Sequence, residues 1–66
     1  MKNPKAEERV IYVPTHAKKN LEHPDCEHGV VSSFNDTFIF VKYIQNGILQ
    51  ETAQATRPED LYRNHE

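Results

Sequence analysis

Thr37–Gln50 reads TFIFVKYIQNGILQ. From Thr37 to Ile44 the run is almost continuously apolar and rich in β-branched and aromatic side chains, which pack well on a pleated surface. It has the length of a strand, and its lack of polar alternation implies cover on both faces. Asn46-Gly47 follows at once. A two-residue type I′ turn needs positive φ at both central positions, and Asn-Gly reaches it at little cost. Ile48–Ala55 then reads as the returning strand, with Ile48 and Gln50 on one face and Leu49 and Glu51 on the other.

Working outward, SFND (33–36) carries turn chemistry, because short polar side chains cap their own backbone. GVVSS (29–33) reads as a strand before it. RVIYV (9–13) is another, stopped by Pro14. Downstream, TRPEDLYR (56–63) reads as a short helical turn. Pro58 sits where a missing N–H costs nothing, and Glu59 and Asp60 meet the positive end. Residues 1–8 read as a flexible arm, 9–63 as one small β domain, and 64–66 as a frayed tail. The fold expected is mainly β: a small SH3-like barrel, or a strongly bent antiparallel sheet of four or five strands, with a short C-terminal helical turn. Val10, Tyr12, Val31, Ile39, Val41, Leu49 and Leu61 are expected inside. Phe38 and Phe40 then fall on the other face of their strand.

The chain has 66 residues, one cysteine and a net charge of −2. So short a chain buries only about 60% of its unfolded surface, so its core is small. One cysteine excludes an internal disulfide and fits a reducing compartment such as the cytoplasm. The polar N-terminus shows no secretory signal, and FIFV is far short of a membrane span, so a soluble protein with no membrane role is expected. Eight basic residues against ten acidic ones suit nucleic acid poorly, since phosphates must be neutralised. A nucleic-acid-binding barrel would have to use Lys18, Lys19 and Lys42.

The connection from Pro14 to His28 is long for a compact domain. It holds His16, His23, Cys26 and His28. These are zinc-ligating types, yet all lie close together in sequence with no second cysteine. Zinc-stapling is therefore the alternative to a polar loop that steers the chain into the next strand through Pro24, Asp25 and Gly29. Catalysis by Cys26 with a neighbouring histidine is not expected. Asp25 and Glu27 flank the thiol, nearby negative charge raises a thiol pKa, and the chain offers little room for a substrate pocket. No catalytic residue or cofactor is assigned. Three tyrosines and three phenylalanines are many for this length. Beyond core packing they point to a protein-binding face built from Phe38, Phe40, Tyr43 and Tyr62.

RVIYVPTHA, HPDCEHGVVSSFNDTFIFVKY and QATRPEDLY together resemble a group of short proteins encoded by bacteriophages and prophages. The strand rhythm with its terminal proline-plus-leucine element is also loosely similar to small SH3-like barrels. The resemblance implies a phage product in a bacterial cytoplasm. With the short length, acidic balance and excess aromatics, it points to a non-enzymatic protein-binding module that modulates or inhibits a host protein, or pairs with itself as a homodimer.

Overall fold

The hairpin is built as its residues dictate. The structure, a computed structural model, describes residues 1–64. Asn46 and Gly47 have φ of 53° and 78°, the positive pair a type I′ turn requires. Six strands result: β1 (Arg9–Tyr12), β2 (Glu27–Phe34), β3 (Ile39–Gln45), β4 (Ile48–Leu49), β5 (Gln54–Thr56) and β6 (Leu61–Arg63). Two 3-10 turns, Thr15–Ala17 and Pro58–Asp60, complete the elements. The second is the proline-initiated turn expected from TRPED. It leads into β6, which the local sequence does not announce. Within the expected tail, residues 65 and 66 lie outside the described residues, whereas the Asn64 amide donates to the Arg9 carbonyl at 3.1 Å.

All ladders are antiparallel and the path runs β4–β3–β2–β1–β6, with β5 pairing the first part of β3. The path has two free ends. The expected SH3-like barrel, or strongly bent sheet of four or five strands, is thus corrected to an open antiparallel sheet of six strands with two short 3-10 turns. The reason lies in the expected fourth strand. After Gln50, whose amide still reaches the Tyr43 carbonyl at 2.9 Å, the chain leaves β3 through Glu51 and Thr52 and rejoins it at Gln54. Three-residue β5 and three-residue β6 each spend their pairing on one neighbour, and no ladder joins them.

Burial shows how β1 organises the packing. Val10 and Ile11 are consecutive, point to opposite faces of their strand, and are both buried. On one face Val10 joins Val31, Ile39, Val41, Tyr43 and Leu61. On the other, Ile11 joins Val13 and Ala17, with Cys26 and Tyr62 packed against them. The histidine-rich loop therefore covers the back of the sheet, where the sequence had placed it outside the apolar centre. Of the residues expected inside, Tyr12 is half-buried and Leu49 is 49% exposed. Leu49 lies across from Ile44 at the end of the hairpin, and Ile44 is itself 41% exposed.

Two details tighten the frame. Between Val31↔Val41 and Ser33↔Phe40 the register shifts, so Ser32 is the extra residue of a bulge. Residues of the expected arm then bond to β2: the Glu7 amide reaches the Val31 carbonyl at 2.7 Å, and the Val31 amide reaches the Glu8 carbonyl at 2.9 Å. Gly29 faces Tyr43 in the ladder, and a Cβ there would lie 2.6 Å from Val41 Cγ1. Its glycine is required by close approach.

Candidate functional site

The loop between β1 and β2 is a chain of tight turns. Backbone N–H groups three residues on donate to the carbonyls of Pro14, Thr15, Ala17, Asn20 and His23. Lys18 and Lys19 take positive φ, 51° and 63°, which reverses the chain after the first 3-10 turn. Asn20 is the hub. Its side-chain oxygen accepts the Glu22 amide at 3.0 Å, and its carbonyl accepts both the His23 amide and the Cys26 thiol, the latter at 3.3 Å.

These turns fold Asp25 back onto His16, nine residues earlier. His16 Nε2–H donates to Asp25 Oδ2 at 2.6 Å. The rings of His16 and His23 meet edge to face with centroids 5.3 Å apart. The Asp25 amide donates to His23 Nδ1 at 3.0 Å. One ligand atom from each of His16, His23 and Asp25 lies within 4.8 Å of the others, so the three form a group that could hold a metal ion.

The donor set fits a borderline divalent ion, since two imidazoles and one carboxylate suit zinc and its neighbours. Three protein ligands leave a fourth position for water. The geometry is not preformed. Tetrahedral zinc with bonds of about 2.0–2.1 Å needs donors roughly 3.4 Å apart. His16 and Asp25, at 2.6 Å, must separate, while the wider contacts must close. His23 must also give up the Asp25 amide. A bond through Nδ1 displaces that N–H, and a bond through Nε2 places the imidazole proton on Nδ1. The site is open to water as well, with His16 and Asp25 side chains 62% and 60% exposed.

The other residues singled out in the sequence are scattered. Cys26 and His28 are not in the cluster: the thiol points to the Asn20 carbonyl, and His28 lies exposed on β2 across from Ile11. Spacing of ligand types could not reveal Asp25, which joins only because successive turns return it to His16. Lys18 and Lys19 sit on the loop, whereas Lys42 sits within β3 opposite Val30. The four aromatic residues do not share a surface. Tyr43 belongs to one core cluster and Tyr62 packs on the other, across the sheet. Phe40 is half-buried, and Phe38 is 36% exposed beside a turn held by Asn35 Oδ1, which accepts the Thr37 and Phe38 amides at 2.8 Å. The most exposed large apolar groups among the described residues lie elsewhere: Ile48 is 65%, Phe34 51% and Leu49 49% exposed. Among the described residues no helix is long and apolar enough to cross a membrane.

No family model, curated protein or solved structure matches the chain. The expected kinship with phage-encoded proteins and with SH3-like barrels is corrected accordingly: the comparisons give it no support, and the open sheet departs from a closed barrel.

Proposed function

We propose that this chain is a small non-catalytic domain whose β1–β2 loop is stapled by a divalent transition metal at His16, His23 and Asp25. The observation that carries it is the convergence of the three donors within 4.8 Å. A small core leaves a thin stability margin, and a structural metal is one way natural domains of this size widen it. The loop that would be stapled also roofs the Ile11–Val13–Ala17 cluster, so a metal there would stabilise the back of the sheet. Binding metal through His16 Nε2 moves the ring proton to Nδ1 and breaks the hydrogen bond to Asp25.

Calorimetric titration with zinc, and elemental analysis of untagged protein, test the proposal. One zinc per chain is expected. At a free concentration about 100-fold above its dissociation constant, zinc adds roughly 2.7 kcal/mol of stability. His16→Ala and Asp25→Asn should each weaken binding by at least about tenfold, while Cys26→Ser and His28→Ala leave it unchanged. Loss of binding in the last two variants but not the first two, or absence of saturable zinc binding, refutes the proposal.

A second reading, a protein-binding module, is favoured by Ile44 and Leu49, which pair across the hairpin and are both exposed. Self-association would use this patch. Sedimentation that stays monomeric to high concentration, or a dimer that survives Ile44→Ser with Leu49→Ser, counts against it.

A further inference from the structure

A polar cleft of about 310 Å³ opens between the ends of β1, β2 and β3 and the segment running from β5 into the second 3-10 turn. Its walls include Tyr12, Glu27, Tyr43, Thr56, Arg57 and Asp60. We propose that this cleft binds a primary ammonium group, held by the Glu27 carboxylate and the Tyr43 hydroxyl oxygen against the ring of Tyr12. The inference is independent of the metal site.

Charge accounting supports a cation. Arg57 is committed to Asp60, with Nε at 3.0 Å and a terminal nitrogen at 2.9 Å from Oδ2, so that pair is neutral. Glu27 has no hydrogen-bond or ion-pair partner among the described residues, and it is exposed. The cleft therefore carries one uncompensated negative charge. The field reaches Tyr43: burial first, then the charges of Glu27, Tyr12 and Asp60, push its hydroxyl pKa up against the opposing Thr56 hydrogen bond.

Hydrogen-bond polarity supports an N–H donor. Thr56 Oγ1 donates to the Gln54 carbonyl at 3.4 Å. In the 2.7 Å contact between Tyr43 Oη and Thr56 Oγ1 either hydroxyl can donate. Tyr43 Oη keeps a lone pair that can accept from a ligand, and the Glu27 carboxylate accepts only. The rings of Tyr12 and Tyr43 meet at 75° with centroids 6.2 Å apart, and half-buried Tyr12 offers an aromatic wall that attracts cations. Acceptors, negative charge and an aromatic wall define a site for an alkylammonium ion, whether a lysine side chain or a free amine.

Amide spectra of the full chain, titrated at fixed ionic strength with n-butylammonium, 1-butanol and tetramethylammonium, test this. Saturable shifts at Glu27, Tyr43 and Thr56 are expected for n-butylammonium, with a dissociation constant on the order of 10 mM. Glu27→Gln should weaken it about tenfold, because a charge-assisted hydrogen bond is lost. Glu27 is exposed and has no partner among the described residues, so the variant folds. Parallel titrations with capped lysine and with cadaverine separate the sources: tighter binding of the first assigns a protein side chain, and of the second a free diamine. Absence of saturation at about 100 mM n-butylammonium, equal binding of 1-butanol or tetramethylammonium, or unchanged binding in Glu27→Gln overturns the proposal.

Discussion

Gly29 sits opposite Tyr43 in the β2–β3 ladder, and replacing it with alanine is the most informative single perturbation of this fold. The new methyl would lie 2.6 Å from Val41 Cγ1, 2.9 Å from the Lys42 carbonyl oxygen and 3.1 Å from Tyr43 Cδ1. The first contact strikes a buried side chain, and the second strikes backbone that the ladder holds in place. Overpacking of this kind costs about 1–3 kcal/mol. The backbone of Gly29 is not in the left-handed region, so alanine recovers about 0.4–1 kcal/mol by restricting the unfolded chain. The net loss is about 1–2 kcal/mol, or roughly 5–15 °C in melting temperature for a domain of this size. Gly47 is the control, because nothing lies within 4 Å of its Cβ position but its φ is +78°. Gly47→Ala should also destabilise, through torsion alone, by about 1–2 kcal/mol, and asparagine there should be better tolerated than alanine. At Gly29 asparagine should be worse than alanine. Urea unfolding followed by circular dichroism measures all four. A Gly29→Ala midpoint equal to or above wild type refutes the close approach of β2 and β3 at Tyr43, and asparagine matching alanine at both positions refutes the distinction between the glycines.

Tyr43→Phe should cost about 1 kcal/mol, because the buried 2.7 Å hydrogen bond to Thr56 is lost; calorimetry checks it, and an unchanged midpoint refutes it. Leu61→Ala should cost about 2–5 kcal/mol, whereas Leu49→Ala stays within about 0.5 kcal/mol; comparable losses would place Leu49 in the core after all. Glu8 gives a pH dependence. Desolvation pushes its carboxyl pKa up, but the Arg63 hydrogen bond, the Lys5 amide and the charges of Arg63 and Lys5 outweigh this and hold it below the ordinary value. A carboxyl with a depressed folded pKa adds stability that is present above its unfolded value and lost as pH falls through the folded one. The urea midpoint should therefore fall as pH drops below 4.5, and the gap between wild type and Glu8→Gln should narrow. A gap that stays constant from about pH 7 to about pH 3 refutes this.

Much of the fold is written locally. Asn46-Gly47 sets its turn through two positive φ angles, the apolar run makes β3, and Pro58 starts a turn whatever surrounds it. Val10, Val31, Ile39, Val41 and Leu61 could be assigned to the core because large apolar side chains on strands must be covered somewhere. The candidate site was legible only in part. His16 and His23 stood out by type, while Asp25 read as turn chemistry and Cys26 and His28 as ligands.

The chain's local chemistry thus determined where strands and turns begin, because dihedral preference and apolar runs act over a few residues. Only the tertiary structure decided that the sheet stays open, that Leu49 faces water, and that the histidine loop roofs the second face of β1. It also decided that Asp25 completes the donor cluster. These outcomes depend on pairings such as Ile11 with Tyr62, far apart in the chain. Which partner a strand edge or a loop carboxylate meets is set by competition among distant segments, and no local propensity encodes the result.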